Sequence, residues 1–361
     1  MEQKIQAAME ELVASNEMSG GALIVRQNGQ EIFRGKWGYA DIENQIPVEY
    51  NTMYRLASMS KPVTAAAVMQ LWEKGKLSLD DPIGNYLEDY RDQKAGIVTI
   101  RDLLSHSSGL GMNPEGVAFA ESLMVPGDTL KERIERWKIL PLDFEPGTAT
   151  GYSAIVGFDI LGRIVEIISG QDYESYLREH LWGPLGIRDM TFTLSEDQQN
   201  RLAKLYNTED GQQVFLETDA LWEQVDPMKA GYFSGSAGMF GSVEAYDIFT
   251  SMLANKGEWN GVRVLEKETV RRMHQRGAKT ELMMGPGLYW GLGMEIFEDT
   301  KAIGIAVEPG TYGWSGAYGT HMFIHPDSGI SATFVMNRGN IGGAGSPIAR
   351  KVEALVFGED L

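Results

Sequence analysis

The segment Ser58-Met59-Ser60-Lys61-Pro62 puts a hydroxyl and an amine three residues apart. On a helix, residues at that spacing share a face, so Ser58 and Lys61 stand side by side. A serine hydroxyl becomes a nucleophile when a nearby base takes its proton, and a lysine acts as that base only when held neutral. Pro62 sets the frame. Proline is tolerated in the first turn of a helix and not deeper, so the helix carrying Lys61 starts near Ser58. Ser58 then lies at the positive end of the helix dipole, where a developing oxyanion is favoured and a charged ammonium is disfavoured. Ser-x-x-Lys alone decides nothing, because a chain of this length contains about one by chance. Ser60 is also a second hydroxyl close by.

Two further segments supply companions. Tyr152, in Gly151-Tyr152-Ser153-Ala154, follows a Pro146-Gly147 turn. A tyrosine bonded to a lysine can relay a proton between nucleophile and leaving group. In Gly313-Trp314-Ser315-Gly316-Ala317, on an expected strand, glycines let the backbone approach a ligand and offer it N–H groups. Taken singly, each also reads as packing: a loop tyrosine against its neighbours, and a bulged strand with an aromatic plug.

The elements that must position these residues follow from periodicity. Residues 1–13 read as a charged amphipathic helix, and 21–35 as two strands around Asn28-Gly29. A helix runs from Ser58 to about Glu73 and stops at Gly75. Helical patterns then dominate to about residue 230, at 101–104, 129–137, 158–169 and 172–181. The last third changes character, with strands at 289–297, 310–323 and 330–336 and helices at 244–253 and 348–356. The expected fold is α/β (α+β), an antiparallel sheet flanked by helices with a mostly helical insertion. Residues 1–80 and 233–361 would form the sheet domain and 81–232 the helical one, with the active site in the cleft between them.

Composition narrows the function classes. With 43% hydrophobic and 23% charged residues, the 361-residue chain has an ordinary globular composition. A formal net charge of −18 repels phosphate backbones and anionic lipid, which argues against nucleic-acid and membrane-surface roles. There is no cysteine, hence no disulfide, cysteine nucleophile or thiolate metal site. The start has no uninterrupted apolar core of a signal peptide, and no later apolar run is long enough to span a bilayer, so a cytoplasmic chain is expected. None of the five histidines lies in His-Glu-x-x-His, and no Gly-x-Ser-x-Gly elbow occurs. His321 and His325 are four apart in a strand-like segment, where that spacing is not a helical metal pair. No metal or cofactor is expected.

Together, Ser58-x-x-Lys61, Tyr152-Ser153-Ala154 and Trp314-Ser315-Gly316 resemble the active-site set of the serine β-lactamase and penicillin-binding-protein superfamily, in its class C-like branch. Leu103-Leu104-Ser105-His106-Ser107-Ser108-Gly109-Leu110, Leu161-Gly162-Arg163-Ile164-Val165-Glu166, Pro184-Leu185-Gly186-Ile187 and Ser236-Ala237-Gly238-Met239 resemble further landmarks, and the likeness spans residues 5–357. The resemblance implies Ser58 as acylated nucleophile, Lys61 as general base and Tyr152 as proton shuttle to the leaving group. It implies an oxyanion hole from the Ser58 and Ala317 backbone N–H groups, and substrate contacts at Trp314, Ser315 and Gly316. His106 reads as a structural hydrogen-bonding residue.

Two departures bear on substrate. Penicillin-recognising members have a lysine where this chain has Trp314, and an asparagine where it has Ala154. Both changes remove polar contacts to a β-lactam or peptide, while an aromatic wall suits an acyl or aryl ester. The pattern is similar to the family VIII carboxylesterases. The expected activity is therefore hydrolysis of small, fairly apolar esters, with weak β-lactam hydrolysis as a side activity. D-aminopeptidase, amidase, β-lactamase or acyltransferase activity, and a non-catalytic binding or assembly role on the same fold, are the alternatives.

Overall fold

The computed structural model describes residues 1–217 and 232–358; part of the expected helical region, 218–231, lies outside the described residues. A nine-stranded antiparallel sheet organises the molecule. Its strands are β1 (Gly20–Gln27), β2 (Gln30–Asp41), β3 (Ile46–Pro47), β4 (Met283–Gly285), β5 (Leu288–Trp290), β6 (Glu295–Phe297), β7 (Thr311–Ser315), β8 (His321–His325) and β9 (Ile330–Met336). Their spatial order is β4-β5-β6-β7-β8-β9-β1-β2-β3, so the C-terminal third completes the sheet beside the N-terminal hairpin. That hairpin turns at Asn28 and Gly29, both at positive φ (50° and 78°), as a type I′ connection requires.

β1 is buried almost throughout, as its run Gly-Gly-Ala-Leu-Ile-Val demands. Alternation sends Leu23 and Val25 to one face and Ala22 and Ile24 to the other. Leu23 and Val25 join Phe323, Phe334 and the apolar sides of α1 (Glu2–Ala14) and the closing C-terminal helix (Pro347–Phe357). The opposite face of the sheet meets the large core around α2 (Ser60–Glu73), α3 (Val156–Ser169) and α4 (Val243–Ala254), to which Tyr312, Met322 and Ile324 belong. The closing helix is α5. No described helix is long and apolar enough to cross a membrane.

Three expected elements differ. Residues 289–297 are two strands, β5 and β6, joined by a tight turn in which Gly291 N–H donates to Met294 O at 2.8 Å. Residues 310–323 likewise divide into β7 and β8, where Gly319 at φ 88° turns the chain back. The expected helix 172–181 is α-helical over Tyr173–Leu177 and widens to a π turn over Arg178–Trp182. Pro184 has no N–H for the His180 carbonyl, which instead accepts from Gln70 Nε2 at 2.8 Å.

Candidate active site

Ser58 sits in a 3₁₀ turn (Ala57–Met59) that leads into α2, and Pro62 falls in the first turn of that helix. Ala57 precedes the serine at φ 47°, a left-handed conformation that non-glycine residues rarely adopt, although it is 2% exposed. The two hydroxyls of the motif separate cleanly. Ser60 is fully buried, donating to Ala57 O at 2.7 Å and accepting from Met239 N at 3.1 Å. Ser58 stays partly exposed and faces Lys61 and Tyr152.

Lys61 Nζ lies 3.1 Å from Ser58 Oγ, 2.8 Å from Ala154 O and 2.9 Å from Ser236 O. Its side chain is fully buried. Two carbonyls thus take two N–H bonds, and the remaining tetrahedral position of the nitrogen points at the serine oxygen. Tyr152 donates to the same oxygen at 2.6 Å. Ala154, which lacks the amide of the penicillin-recognising pattern, serves the lysine through its backbone.

Aromatic rings surround Tyr152. Trp314 lies 5.3 Å and Trp290 6.1 Å from its centre, and the two indoles are 4.7 Å apart. Trp290 Nε1 donates to Gly151 O at 3.2 Å, fixing the loop that carries the tyrosine. Sequence reasoning missed Trp290, which looked like an ordinary strand residue. His106, at φ 49°, grips the same loop. Its carbonyl accepts from Gly151 N–H (3.1 Å) and Thr150 Oγ1 (3.2 Å), and its Nδ1 accepts from Ser153 N–H (3.1 Å). That bond assigns the ring proton to Nε2, which is buried with no hydrogen-bond partner among the described residues and lies among the rings of Trp290 and Tyr152. Burial holds His106 well below the ordinary histidine range, so the ring is neutral. Its structural role is as expected.

The third segment divides between the faces of the sheet. Trp314 pairs with Met322 and lies on the face toward Tyr152. Ser315 pairs with His321 and its hydroxyl lies 2.7 Å from His321 Nδ1, on the face covered by α5; it is 2% exposed and away from Ser58. Gly316 packs against the backbone just before Ser58: a Cβ there would sit 2.2 Å from Leu56 O. Thr320 Oγ1 donates to that carbonyl at 3.1 Å. Ala317 follows, exposed, with a backbone N–H that has no partner among the described residues. Among the described residues no cluster of His, Asp and Glu is placed to hold a metal ion.

Known proteins resemble this chain over nearly its whole length. Esterase EstB of Burkholderia gladioli is 30% identical, with 92% of this chain and 90% of the esterase aligned. Among solved structures, EstCE1, described as a hydrolase with promiscuous acyltransferase activity, superposes with a TM-score of 0.85 at 24% identity, covering 99% of this chain and 98% of its own. Simvastatin synthase (LovD) from Aspergillus terreus superposes with a TM-score of 0.79 at 22% identity, covering 98% and 95%. The family model described as Beta-lactamase matches residues 5–354, and the chain belongs to that family, as a serine hydrolase of the β-lactamase and penicillin-binding-protein superfamily.

Proposed function

We propose that the protein is a carboxylesterase that cleaves small, fairly apolar esters through an acyl-enzyme on Ser58. The observation that carries this reading is the placement of one partly exposed oxygen, Ser58 Oγ, 3.1 Å from Lys61 Nζ and 2.6 Å from the OH of Tyr152, whose ring lies 5.3 Å from that of Trp314. Kinship with esterase EstB supports it.

In the neutral amine, the two N–H bonds go to the Ala154 and Ser236 carbonyls and the lone pair faces Ser58. Lys61 takes the Ser58 proton as Oγ attacks the ester carbonyl carbon, and the carbonyl π electrons move onto oxygen. The backbone N–H groups of Ser58 and Ala317 receive that oxyanion, a contribution of about 3 kcal/mol per donor in comparable sites. On collapse the C–O bond to the alcohol breaks, and the departing alkoxide takes a proton from Tyr152, which is resupplied from Lys61. Water then attacks the acyl carbon by the same route and frees Ser58. Trp314, uncharged where a substrate carboxylate would need a cation, favours an apolar acyl or aryl group on this face.

The test is turnover of short-chain nitrophenyl esters, nitrocefin and D-amino acid amides by the wild type and Ser58→Ala. Ester turnover that vanishes in the variant, together with phosphonylation of Ser58 by a fluorophosphonate, supports the proposal. A variant that still turns over ester overturns the assignment of Ser58, and faster turnover of nitrocefin or an amide than of any ester overturns the substrate class.

A further inference from the structure

Of the two carbonyls that orient Lys61, Ala154 O comes from the tyrosine loop and Ser236 O from a distant segment of the chain. What holds Ser236 is a buried carboxylate. Asp159 lies in the first turn of α3 and is fully buried. Its Oδ1 accepts from Ser236 N–H at 2.9 Å and Ser234 Oγ at 2.7 Å, and its Oδ2 accepts from Tyr232 OH. The N–H of Ser236 is thus bound by Asp159 while the C=O of the same residue is bound by Lys61. The Ser236 hydroxyl donates to Ile155 O at 2.8 Å, which ties this segment to the residue after Ala154. Both carbonyls that touch the lysine are therefore joined through Ser236.

The fit around this segment leaves little slack. Thr64, one turn beyond Lys61 on α2, donates from Oγ1 to Gly235 O at 2.7 Å. A Cβ on Gly235 would meet Phe158 O at 2.5 Å and Thr64 Oγ1 at 3.0 Å, so only glycine lets the segment lie against both helices. Burial pushes the Asp159 carboxyl up against the pull of its three donors. A buried acid is an expensive way to fill this space, since an apolar residue of similar size would pack there without desolvating a carboxylate. What an apolar residue would not supply is an acceptor for the Ser236 amide.

We propose that Asp159 is a positioning residue for the Ser58–Lys61 pair: by gripping the Ser236 amide it fixes the carbonyl that orients the Lys61 amine toward Ser58 Oγ. This rests on the reading of Lys61 as the base. The device needs an acceptor at Oδ1 rather than a charge. Asparagine can keep both Oδ1 bonds and present its Nδ2 to the Tyr232 oxygen, whereas alanine cannot hold the segment at all.

The experiment compares wild type, Asp159→Ala, Asp159→Asn, Lys61→Ala and the Asp159→Ala/Lys61→Ala double variant. Two readouts are taken: nitrophenyl acetate kinetics, and the rate of phosphonylation at Ser58 by a fluorophosphonate. Asp159→Ala is expected to lower kcat about 30-fold with KM within about threefold, and Asp159→Asn to stay within about threefold of wild type in both. In the Lys61→Ala background, Asp159→Ala should slow phosphonylation less than about twofold, because the group through which it acts is gone. A merely structural aspartate would reduce both backgrounds alike. Should the alanine variant fold poorly, Asp159→Ser repeats the comparison with a small polar side chain whose oxygen falls short of the Ser236 amide. The proposal is overturned by a folded Asp159→Ala or Asp159→Ser with wild-type kcat, by an asparagine variant as slow as the alanine one, or by an undiminished loss in the Lys61→Ala background. Ser58→Ala runs as a separate control: its retained activity would sink the acyl-enzyme reading itself, whereas a fast Asp159→Ala with a dead Ser58→Ala sinks only the role of Asp159.

Discussion

Two serine-centred clusters lie on opposite faces of the same sheet. One is Ser58 with Lys61 and Tyr152. The other is Ser315, His321 and Glu353, in which Ser315 Oγ is 2.7 Å from His321 Nδ1 and His321 Nε2 is 3.0 Å from Glu353 Oε1. By residue type the second set looks the more familiar hydrolase. Its surroundings rule that out. Ser315 and His321 are each 2% exposed and Glu353 is fully buried, so no ester reaches the hydroxyl. The His321–Glu353 contact is close but poorly aligned for a hydrogen bond, and Arg350 Nη1 occupies the same carboxylate at 2.8 and 2.7 Å. Ser58, by contrast, keeps part of its surface open and has Lys61 Nζ and Tyr152 OH on one oxygen, as the proposed mechanism needs. Access and convergence on a single atom, more than residue type, separate a reaction centre from a buried polar clasp.

The sharpest way to break this comparison is to remove the two hydroxyls in turn. Ser58→Ala should lower ester turnover about 10,000-fold or more, and Lys61→Ala nearly as much, since such groups act as a unit. Ser315→Ala should leave kcat/KM within about tenfold of wild type. Equal losses at both serines, measured on one nitrophenyl ester, would erase the distinction.

The clasp should instead show itself in stability. Burial pushes the Glu353 carboxyl up, but His321 and Arg350 outweigh it and hold the group below the ordinary glutamate range. Glu353→Ala strands His321 and the partly exposed Arg350, and should lower unfolding free energy by on the order of 3 kcal/mol. Ester turnover per folded molecule should change little. Denaturant titration alongside active-site counting separates the two effects.

The two faces also differ in how much of them was legible in the sequence. Ser58 and Lys61 were readable because their relation is local: a three-residue spacing, a proline that fixes the helix start, and a dipole that follows from it. Tyr152 and Trp314 were reached through the family pattern, which also brought nearly the full fold with it. The clasp is invisible in the sequence because residues 310–323 carry one continuous strand-like pattern, and only the turn at 316–320 brings Ser315 opposite His321. Trp290 was hidden inside a run read as continuous strand, and Asp159 by its distance in sequence from Ser234 and Ser236. Contacts set by register and by long-range closure have no local pattern to betray them.

A pH scan sharpens the contrast further. Glu295, on β6 near Arg350 and Glu353, is pushed up to about 8, by burial first, with Arg350 opposing and Glu353 reinforcing the shift. A carboxyl whose folded value lies above its unfolded value of 4.5 contributes stability that is complete below pH 4.5 and lost as pH rises through about 8. Wild-type melting temperature should therefore carry a downward slope between those values that Glu295→Gln lacks, with the variant the more stable by a few degrees at pH 8.5. A wild type and variant that track each other in parallel across this range would overturn the raised Glu295 value.

The smallest effect is expected beside Ser58, for Ala57→Gly. Its φ of 47° stores strain of about 1 kcal/mol for a residue with a Cβ. Ala57→Gly relieves that strain but loosens the unfolded chain by a similar amount, so the melting temperature should stay within about 2 °C of wild type. Ala57→Val should behave differently, because a β-branched side chain at positive φ is a true outlier and the site is 2% exposed. A loss of about 2 kcal/mol or more is expected there, with kcat falling as the 3₁₀ turn that presents Ser58 shifts. If valine were tolerated as well as glycine, the turn would be soft, and Ser58 would owe its placement to Lys61 and Tyr152 rather than to the backbone beneath it.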